Sequence, residues 1–440
     1  MAAVVNQVNP PRGMRDFLPA EKTRREHVLG VIRGVYRAHG FDEIETPVME
    51  DASRLHAGLG GDNEKLAFGV LKRGLSREDL QSAEQALDLA DLGLRFDLTV
   101  PLARFYASHR AELPTVFRAI QIAPVWRAER PQKGRYRQFM QCDIDIMGEA
   151  GPLAEVELLA ATLDALDALG LSDARIRIND RRLLVGMLRG FGFAEDEHDS
   201  VLITIDKLDK IQAAGVVAEL RERGATAAAV NQLENFLRRP QTMEYVAFGE
   251  RQIRRGLPGG ADDRVVAELA AIGEAVDAAR LAAGAEPLPD GASLLEFDPF
   301  LVRGMGYYTG PIFEVAHPSV GYSLGGGGRY DGMIGRFLGQ DVPAAGFSLG
   351  FERLVDLVAL REGEAQDAVA IVHDADAAPA SLAVLKASLL AQGARVRLAR
   401  RTKNTKPLLD QLAAEGFTRF AFASAETTPE TLELRPLGAS

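Results

Sequence analysis

A single cysteine, Cys142, stands in a chain of 440 residues, which excludes an internal disulfide framework and any cysteine-cluster metal site. Long apolar runs are missing too. Even LLAATLDALDALGL over 158–171 is broken by Asp164 and Asp167, short of the ~18 uninterrupted apolar residues that a spanning helix needs. No basic segment precedes a long apolar one at the N-terminus, so a secretory signal is not indicated. These absences point to a reducing, cytoplasmic compartment and to no membrane. Basic charge is outweighed: 51 Lys and Arg face 62 Asp and Glu, for a formal net charge of −11. That disfavours a nonspecific nucleic-acid binder. A local basic stripe still acts over the ~8–10 Å reach of a charge at physiological salt. The seven histidines are scattered, without ligand spacing. GxxxxGK[ST], HExxH and CxxC are all absent. The glycine run at 325–328 leads into RYDG and lacks GxGxxG spacing, so a dinucleotide fold is a poor reading.

What is present is an ordinary globular composition, 47% hydrophobic and 26% charged. At about 150 residues per domain the length suits two to three domains. Residues 20–39 have the periodicity of an amphipathic helix ending at Gly40. The following strand, 41–50, is interrupted by Pro47, whose missing N–H predicts an edge or an interface. Residues 76–91 read as an exposed helix or loop, and 92–107 as extended chain turning helical after Pro101. Two strands, 119–129 and 136–148, flank a basic loop and predict an antiparallel hairpin. In the second, Met140, Cys142, Ile144 and Ile146 alternate with Gln141, Asp143 and Asp145, which puts the polar set on one sheet face. A helix over 152–170 and a short strand over 175–180 follow. Residues 181–290 are mainly helical in pattern with a Gly-Pro break at 257–263, and read as an inserted module. Strand signals resume over 294–317, then comes a glycine segment read as flexible (Gly325–Gly328), then a strand running into a helix over 344–360. After a polar linker, 368–440 alternates strand and helix as a small α/β domain.

The hairpin carries Arg127, Glu129, Arg130, Lys133, Arg135 and Arg137 around its turn. Such a cluster is ordinarily a solvated loop. Its company argues for more: Arg353 after a strand, Arg303 beside Tyr307 and Tyr308, and four adjacent glycines. A fixed guanidinium binds phosphate or carboxylate bidentately.

These segments resemble the histidyl-tRNA synthetase family of class II aminoacyl-tRNA synthetases. TPVME (46–50) resembles the motif 1 strand, VWRAERPQKGRYRQFMQ (125–141) motif 2, and AAGFSLGFERL (344–354) motif 3. LVRGMGYYTG (301–310) and GGGGRYDGM (325–333) resemble the two histidine signatures. RFDLTVPLAR (95–104) and QCDID (141–145) fit the family's substrate pocket. The resemblance implies an α+β fold, a class II antiparallel sheet flanked by helices, with a helical insertion and a small C-terminal α/β domain. The expected divisions are 1–180 and 291–362 for the catalytic domain, 181–290 for the insertion, and 367–440 for an anticodon-binding-like domain. It implies a ligase that activates L-histidine with ATP, accompanied by Mg2+, and charges tRNA(His) as a homodimer.

Site roles follow from the same resemblance. Arg127 and Arg303 are the expected catalytic residues, Arg127 binding the α-phosphate and the substrate carboxylate and Arg303 stabilising charge on both. Glu129 holds the adenine amino group, Arg135 and Arg353 the outer phosphates, and Tyr136 lines the nucleotide site. Asp97, Leu98 and Thr99 belong to the histidine site, Asp97 and Thr99 taking the α-amino group. Gln141 and Asp145 face the substrate, Asp145 accepting from a ring N–H, and Tyr307 and Tyr308 shape the imidazole pocket. Taken singly, Asp97 equally suits a helix cap, Arg353 a surface ion pair and the tyrosines a sheet core. No resident metal site is expected. Two departures stand out: Gly306 replaces the family's usual Asp, and residues 367–440 are short for the expected domain. The basic stretch 394–406 suits either RNA phosphates or solvent. Two alternatives remain: a non-charging regulatory subunit of ATP phosphoribosyltransferase, and a specialised duplicate synthetase.

Overall fold

The computed structural model describes residues 8–56, 66–131, 134–238, 247–302, 307–359 and 367–437. The chain divides into two compact units, Met1–Asp16 with Val28–Val358, and Phe17–His27 with Ala359–Ser440.

The part of the helix Pro19–Ala38 that belongs to the larger unit buries Val28, Leu29, Ile32 and Tyr36 at helical spacing. Strand β1 (Asp42–Glu43) then pairs in parallel with a later strand, and the chain turns out of that sheet around Pro47. It enters a second, small sheet as β2 (Met49–Asp51), joined by β3 (Phe68–Leu71) and β4 (Ala90–Leu94) in the order β2-β4-β3. The predicted break at Pro47 is therefore a change of sheet, with β1 at an edge. Residues 77–82 form a short, wholly exposed helix closed by a Ser76–Asp79 capping box. The helix Thr99–His109 starts two residues before Pro101, which occupies its first turn.

β5 (Phe117–Trp126) and β6 (Gln138–Met147) form the expected hairpin. β7 (Arg175–Asp180), β8 (Leu295–Phe297), β9 (Pro311–His317), β10 (Val320–Arg329) and β11 (Ala344–Gly350) complete an eight-stranded sheet, ordered β1-β5-β6-β11-β10-β9-β7-β8. Its pairs are antiparallel except β1–β5 and β7–β8. Between β7 and β8 the described chain is helical, beginning with Arg181–Phe191, whose N-cap is Asp180, and ending with Asp263–Ala282, whose N-cap is Asp262.

The glycine segment differs from its reading as a flexible loop. Gly325–Gly328 run through the middle of the sheet within β10, paired on both sides. The reason is close approach. A Cβ on Gly327 would lie 1.9 Å from the Gly346 carbonyl oxygen, and one on Gly328 would lie 2.9 Å from the Tyr308 ring. Glycine's low strand propensity is overridden because no other residue fits.

One face of this sheet packs Cys142, Ile144, Ile146, Phe313 and Phe347 into a core with Leu158, Leu159 and Leu269 from the helices Leu153–Ala168 and Asp263–Ala282. Phe313 and Phe347 stack with centroids 6.0 Å apart. The buried ion pair of Arg329 and Glu155 ties the end of β10 to the first of these helices: Nε and Nη2 donate to its two carboxylate oxygens at 2.6 and 2.8 Å. Arg329 also donates to the carbonyls of Glu149 and Gly151.

In the smaller unit β12 (Ala368–His373), β13 (Arg395–Arg400) and β14 (Arg419–Ala423) form a parallel sheet, linked by the helices Pro379–Ala391 and Thr405–Ala414. The sequence pattern predicted this βαβαβ order. It did not predict β15 (Arg435–Pro436), which adds antiparallel to β14 and gives the order β13-β12-β14-β15. No helix among the described residues is long and apolar enough to cross a membrane.

Candidate active site

The polar face of β6 lines a cavity of about 700 Å³ in the larger unit. Register explains the lining. Asp143 pairs with Gln121 on β5 and Ser348 on β11, and Asp145 pairs with Ala119 and Gly346, so both carboxylates leave the same face of adjoining strands. Gln141, two residues earlier, is on that face too. Small partners leave room: a Cβ on Gly346 would sit 1.9 Å from Asp145 Oδ1.

Eleven of the thirteen expected site residues border this cavity: Asp97, Thr99, Arg127, Glu129, Arg135, Tyr136, Gln141, Asp145, Tyr307, Tyr308 and Arg353. Leu98 does not; its side chain is fully buried and its carbonyl accepts from Gln121 Nε2 at 2.9 Å. Arg303 lies outside the described residues, as do Lys133 and Gly306.

The segment carrying Asp97 is held by Arg95, whose guanidinium donates to the carbonyls of Thr46 and Pro124 at 2.8 and 3.0 Å. Asp97 Oδ1 accepts from the Val100 N–H at 3.2 Å, so it does cap the following helix, while Oδ2 is buried without a partner. Arg127 ends the β5 side of the hairpin; its Nε donates to the Phe96 carbonyl at 2.9 Å, and its guanidinium lies 5.0 Å from the Phe139 ring centroid. Across the turn Arg135 pairs loosely with Glu129 at 3.4 Å. The Arg15 guanidinium stacks 3.6 Å over the Tyr136 ring and binds Glu352. Arg353, on the helix Phe351–Leu357, binds backbone on two sides: Nη1 donates to the Ser323 carbonyl at 2.5 Å and Nε reaches the Gly134 carbonyl at 3.5 Å. It thus stands between the hairpin turn and β10.

Burial dominates the electrostatics. It raises the carboxyls of Asp97 and Asp143 above their ordinary values, and Asp145 adds repulsion at Asp143. Asp145 is pushed up to about 7, by burial against the favourable Tyr330 hydroxyl bond at 2.5 Å. Three carboxyls crowded away from water need a cation or N–H donors to ionise together.

Sequence reasoning gave no site role to Asp143, Tyr330, Ser348 or Glu352, all of which border the cavity. Tyr330 meets Asp145 only through tertiary folding, although it stands inside the glycine-rich signature. Asp143 had a visible signal, the alternation along β6. A larger cavity, about 830 Å³, also borders Tyr307 and Tyr308. Its Arg181, Arg182 and Arg189 are paired with Asp199, Asp180 and Glu195.

A largely antiparallel sheet, flanked by helices, gathers arginines and carboxylates into a cleft on one face, the arrangement expected of a class II aminoacyl-tRNA synthetase. The family model described as Histidyl-tRNA synthetase matches residues 13–354. A histidine–tRNA ligase of Leifsonia xyli is 60% identical over 440 residues, covering 99% of each chain. The crystal structure of histidyl-tRNA synthetase from Nostoc superposes with a TM-score of 0.73 at 26% identity, covering 98% of this chain and 95% of that one. A Bacillus halodurans structure described as an ATP phosphoribosyltransferase regulatory subunit/histidyl-tRNA synthetase gives the same TM-score at 20% identity over 96% of this chain and 99% of that one, which is likeness of fold alone. The chain belongs to the histidyl-tRNA synthetase family. It is an enzyme, a ligase.

Proposed function

We propose that the cleft activates L-histidine with ATP, releasing pyrophosphate, and that the histidyl adenylate then passes its acyl group to the 3′ end of tRNA(His). The supporting observation is the gathering of Arg127, Arg353, Asp97, Gln141 and Asp145 around one cavity. In this reading Arg127 holds the α-phosphate beside the histidine carboxylate, and Glu129 takes the adenine amino group over Tyr136. Arg135 and Arg353 hold the outer phosphates. Asp97 and Thr99 take the α-amino group, Asp145 a ring N–H, and Tyr307 and Tyr308 wall the imidazole. Arg303 stabilises the charge that develops as carboxylate attacks phosphorus. Such a transfer needs positioning and fixed positive charge more than covalent work. Buried groups that pair with ring nitrogens reject an apolar isostere by roughly 10⁴–10⁵-fold, because they would otherwise be stranded.

ATP is the implied co-substrate. Mg2+ accompanies the nucleotide phosphates, where it keeps most of its water. We further read the protein as a cytoplasmic homodimer built across the segment around Pro47. The catalytic domain is then 1–180 with 291–362, the insertion 181–290, and 367–440 the anticodon-binding domain. The strong identity to a histidine–tRNA ligase over the whole chain favours the enzyme over a regulatory subunit.

The test is histidine-dependent ATP–pyrophosphate exchange, followed by charging of purified tRNA(His). Exchange and charging together are expected. Exchange without charging would indicate a specialised duplicate, and no exchange with binding to a phosphoribosyltransferase would indicate the regulator. Arg303→Ala is expected to keep the melting curve and lose most of the exchange; a near-normal rate removes Arg303 from the mechanism.

A further inference from the structure

Residues 11–15 dock on the turn of the β5–β6 hairpin. The Met14 N–H donates to the Pro11 carbonyl at 2.9 Å and closes a tight turn, and the Gly13 carbonyl accepts from the Arg137 N–H at 2.7 Å. Gly13 has φ +84°, and a Cβ there would lie 2.9 Å from both Arg137 Cγ and Pro131 Cγ. Glycine is what lets this backbone turn and approach so closely. The start of β6 thereby gains a rung from the far N-terminal end of the sequence.

Arg15 adds two side-chain contacts. Its guanidinium lies 3.6 Å over the Tyr136 ring centroid, and Nη2 donates to Glu352 Oε2. Glu352 is 6% exposed, and its Oε1 accepts from the Met140 N–H at 3.1 Å. Arg15 is therefore pinned by a buried carboxylate that is itself fixed to β6, and its flat cation is presented to one aromatic ring. Tyr136 and Glu352 border the cavity, and Arg15 stands behind them, outside the lining.

The turn depends on such outside support. Glu129 and Arg135 pair loosely at 3.4 Å, and the Arg135 side chain is 45% exposed. Tyr136 lies beyond the end of β5 and before the start of β6. The firmer bonds across the turn meet at Arg137: its carbonyl accepts from the Arg127 N–H at 2.8 Å, and its Nε donates to the Glu129 carbonyl at 3.0 Å. Gly13 holds that same residue from the other side. Side chains on an exposed turn lose freedom when a ligand orders them, and holding them beforehand removes that cost from binding.

We infer that residues 11–15 belong to the nucleotide-binding apparatus and that Arg15 is a positioning residue within it. Arg15 fixes the Tyr136 ring, Gly13 fixes Arg137, and Glu129 and Arg135 are thereby presented to ATP in place. The inference rests on the reading of this turn as the ATP side of the cleft. Lysine is not an equivalent at position 15: it keeps a cation for Glu352 but has no planar group to lay on the ring.

The test uses that difference. Arg15→Lys removes the stack without stranding the buried carboxylate. KM for ATP and for histidine are measured by pyrophosphate exchange, and the ATP dissociation constant by calorimetry, on wild type, Arg15→Lys, Tyr136→Leu and the double variant. Expected for Arg15→Lys is a rise of about 3- to 10-fold in ATP KM and dissociation constant, the scale of one cation–π contact, with histidine KM unmoved. The double variant should bind ATP no worse than Tyr136→Leu alone, because the two residues act as one unit. Unchanged ATP KM in folded Arg15→Lys, an equal rise in both KM values, or losses that multiply in the double variant would each overturn the inference. Gly13→Ala, which disturbs the rung and leaves Arg15 in the chain, decides if Arg15→Lys does not fold: the same ATP-selective loss is expected, and wild-type constants would overturn the inference. Absence of exchange in the wild type would instead count against the activation reading, and the calorimetric ATP affinities would still decide what Arg15 does.

Discussion

Asp145 offers a measurement of what burial costs this cleft. Its carboxyl ordinarily titrates at 3.8 and is pushed up to about 7. Between those pH values the folded protein keeps a proton that the unfolded chain releases. Stability therefore falls as pH rises from about 4 to about 7 and levels off above. A rise of about three units corresponds to roughly 4 kcal/mol at 1.36 kcal/mol per unit. Asp145→Asn cannot ionise, and its amide oxygen still accepts from the Tyr330 hydroxyl. The variant should match wild type near pH 4 and become more stable with rising pH, by up to roughly 4 kcal/mol at pH 8. Relief of the repulsion at Asp143 adds in the same direction. Urea denaturation of the ligand-free protein at half-unit pH steps provides the assay, since parallel shifts in midpoint report stability directly. A stability difference constant from pH 4.5 to 8 would refute the reasoning, because it would mean that Asp145 ionises equally easily in both states.

Two other perturbations probe the framework around the cleft. Arg329→Met strands Glu155, which is 1% exposed, and should cost about 3–5 kcal/mol; adding Glu155→Leu should recover most of it in the same denaturation assay, and a double variant as unstable as the single one would locate the loss elsewhere. Gly346→Ala puts a methyl 1.9 Å from Asp145 Oδ1 and forces that carboxylate aside. Histidine KM should rise at least ~10-fold, the scale of one charged hydrogen bond, with ATP KM nearly unchanged, and a common rise in both would show distortion of the whole sheet.

The parts of the fold that were readable came from local rules acting alone. Period-2 alternation over 140–146 located the polar face of β6 because that strand has a core on one side and the cavity on the other. The βαβαβ pattern of the C-terminal unit was readable because each element is short and bounded by turn residues. The small sheet β2-β4-β3 was not, because it joins strands of three to five residues from separate stretches. Gly325–Gly328 misled for a related reason: intrinsic preference says loop, while the neighbours Gly346 and Tyr308 leave space only for a strand without side chains. In the site, residue types and order marked the cavity lining, but not the division of labour within it. That Asp97 spends one oxygen on a helix, and that Asp143 spends one on Gln141, are facts of three-dimensional contact.

The glycine strand also restricts how this pocket can be altered. Where β10 borders the cavity at Gly325, Gly326 and Gly327, the surface offered to a ligand is peptide backbone, whose donors and acceptors are committed to β9 and β11. Substitution there adds bulk before it adds selectivity. Retuning the enzyme toward a different amino acid therefore has to proceed from the opposite walls, through β6 and the tyrosine pair, which makes those positions the ones to randomise in any attempt to redirect its choice of substrate.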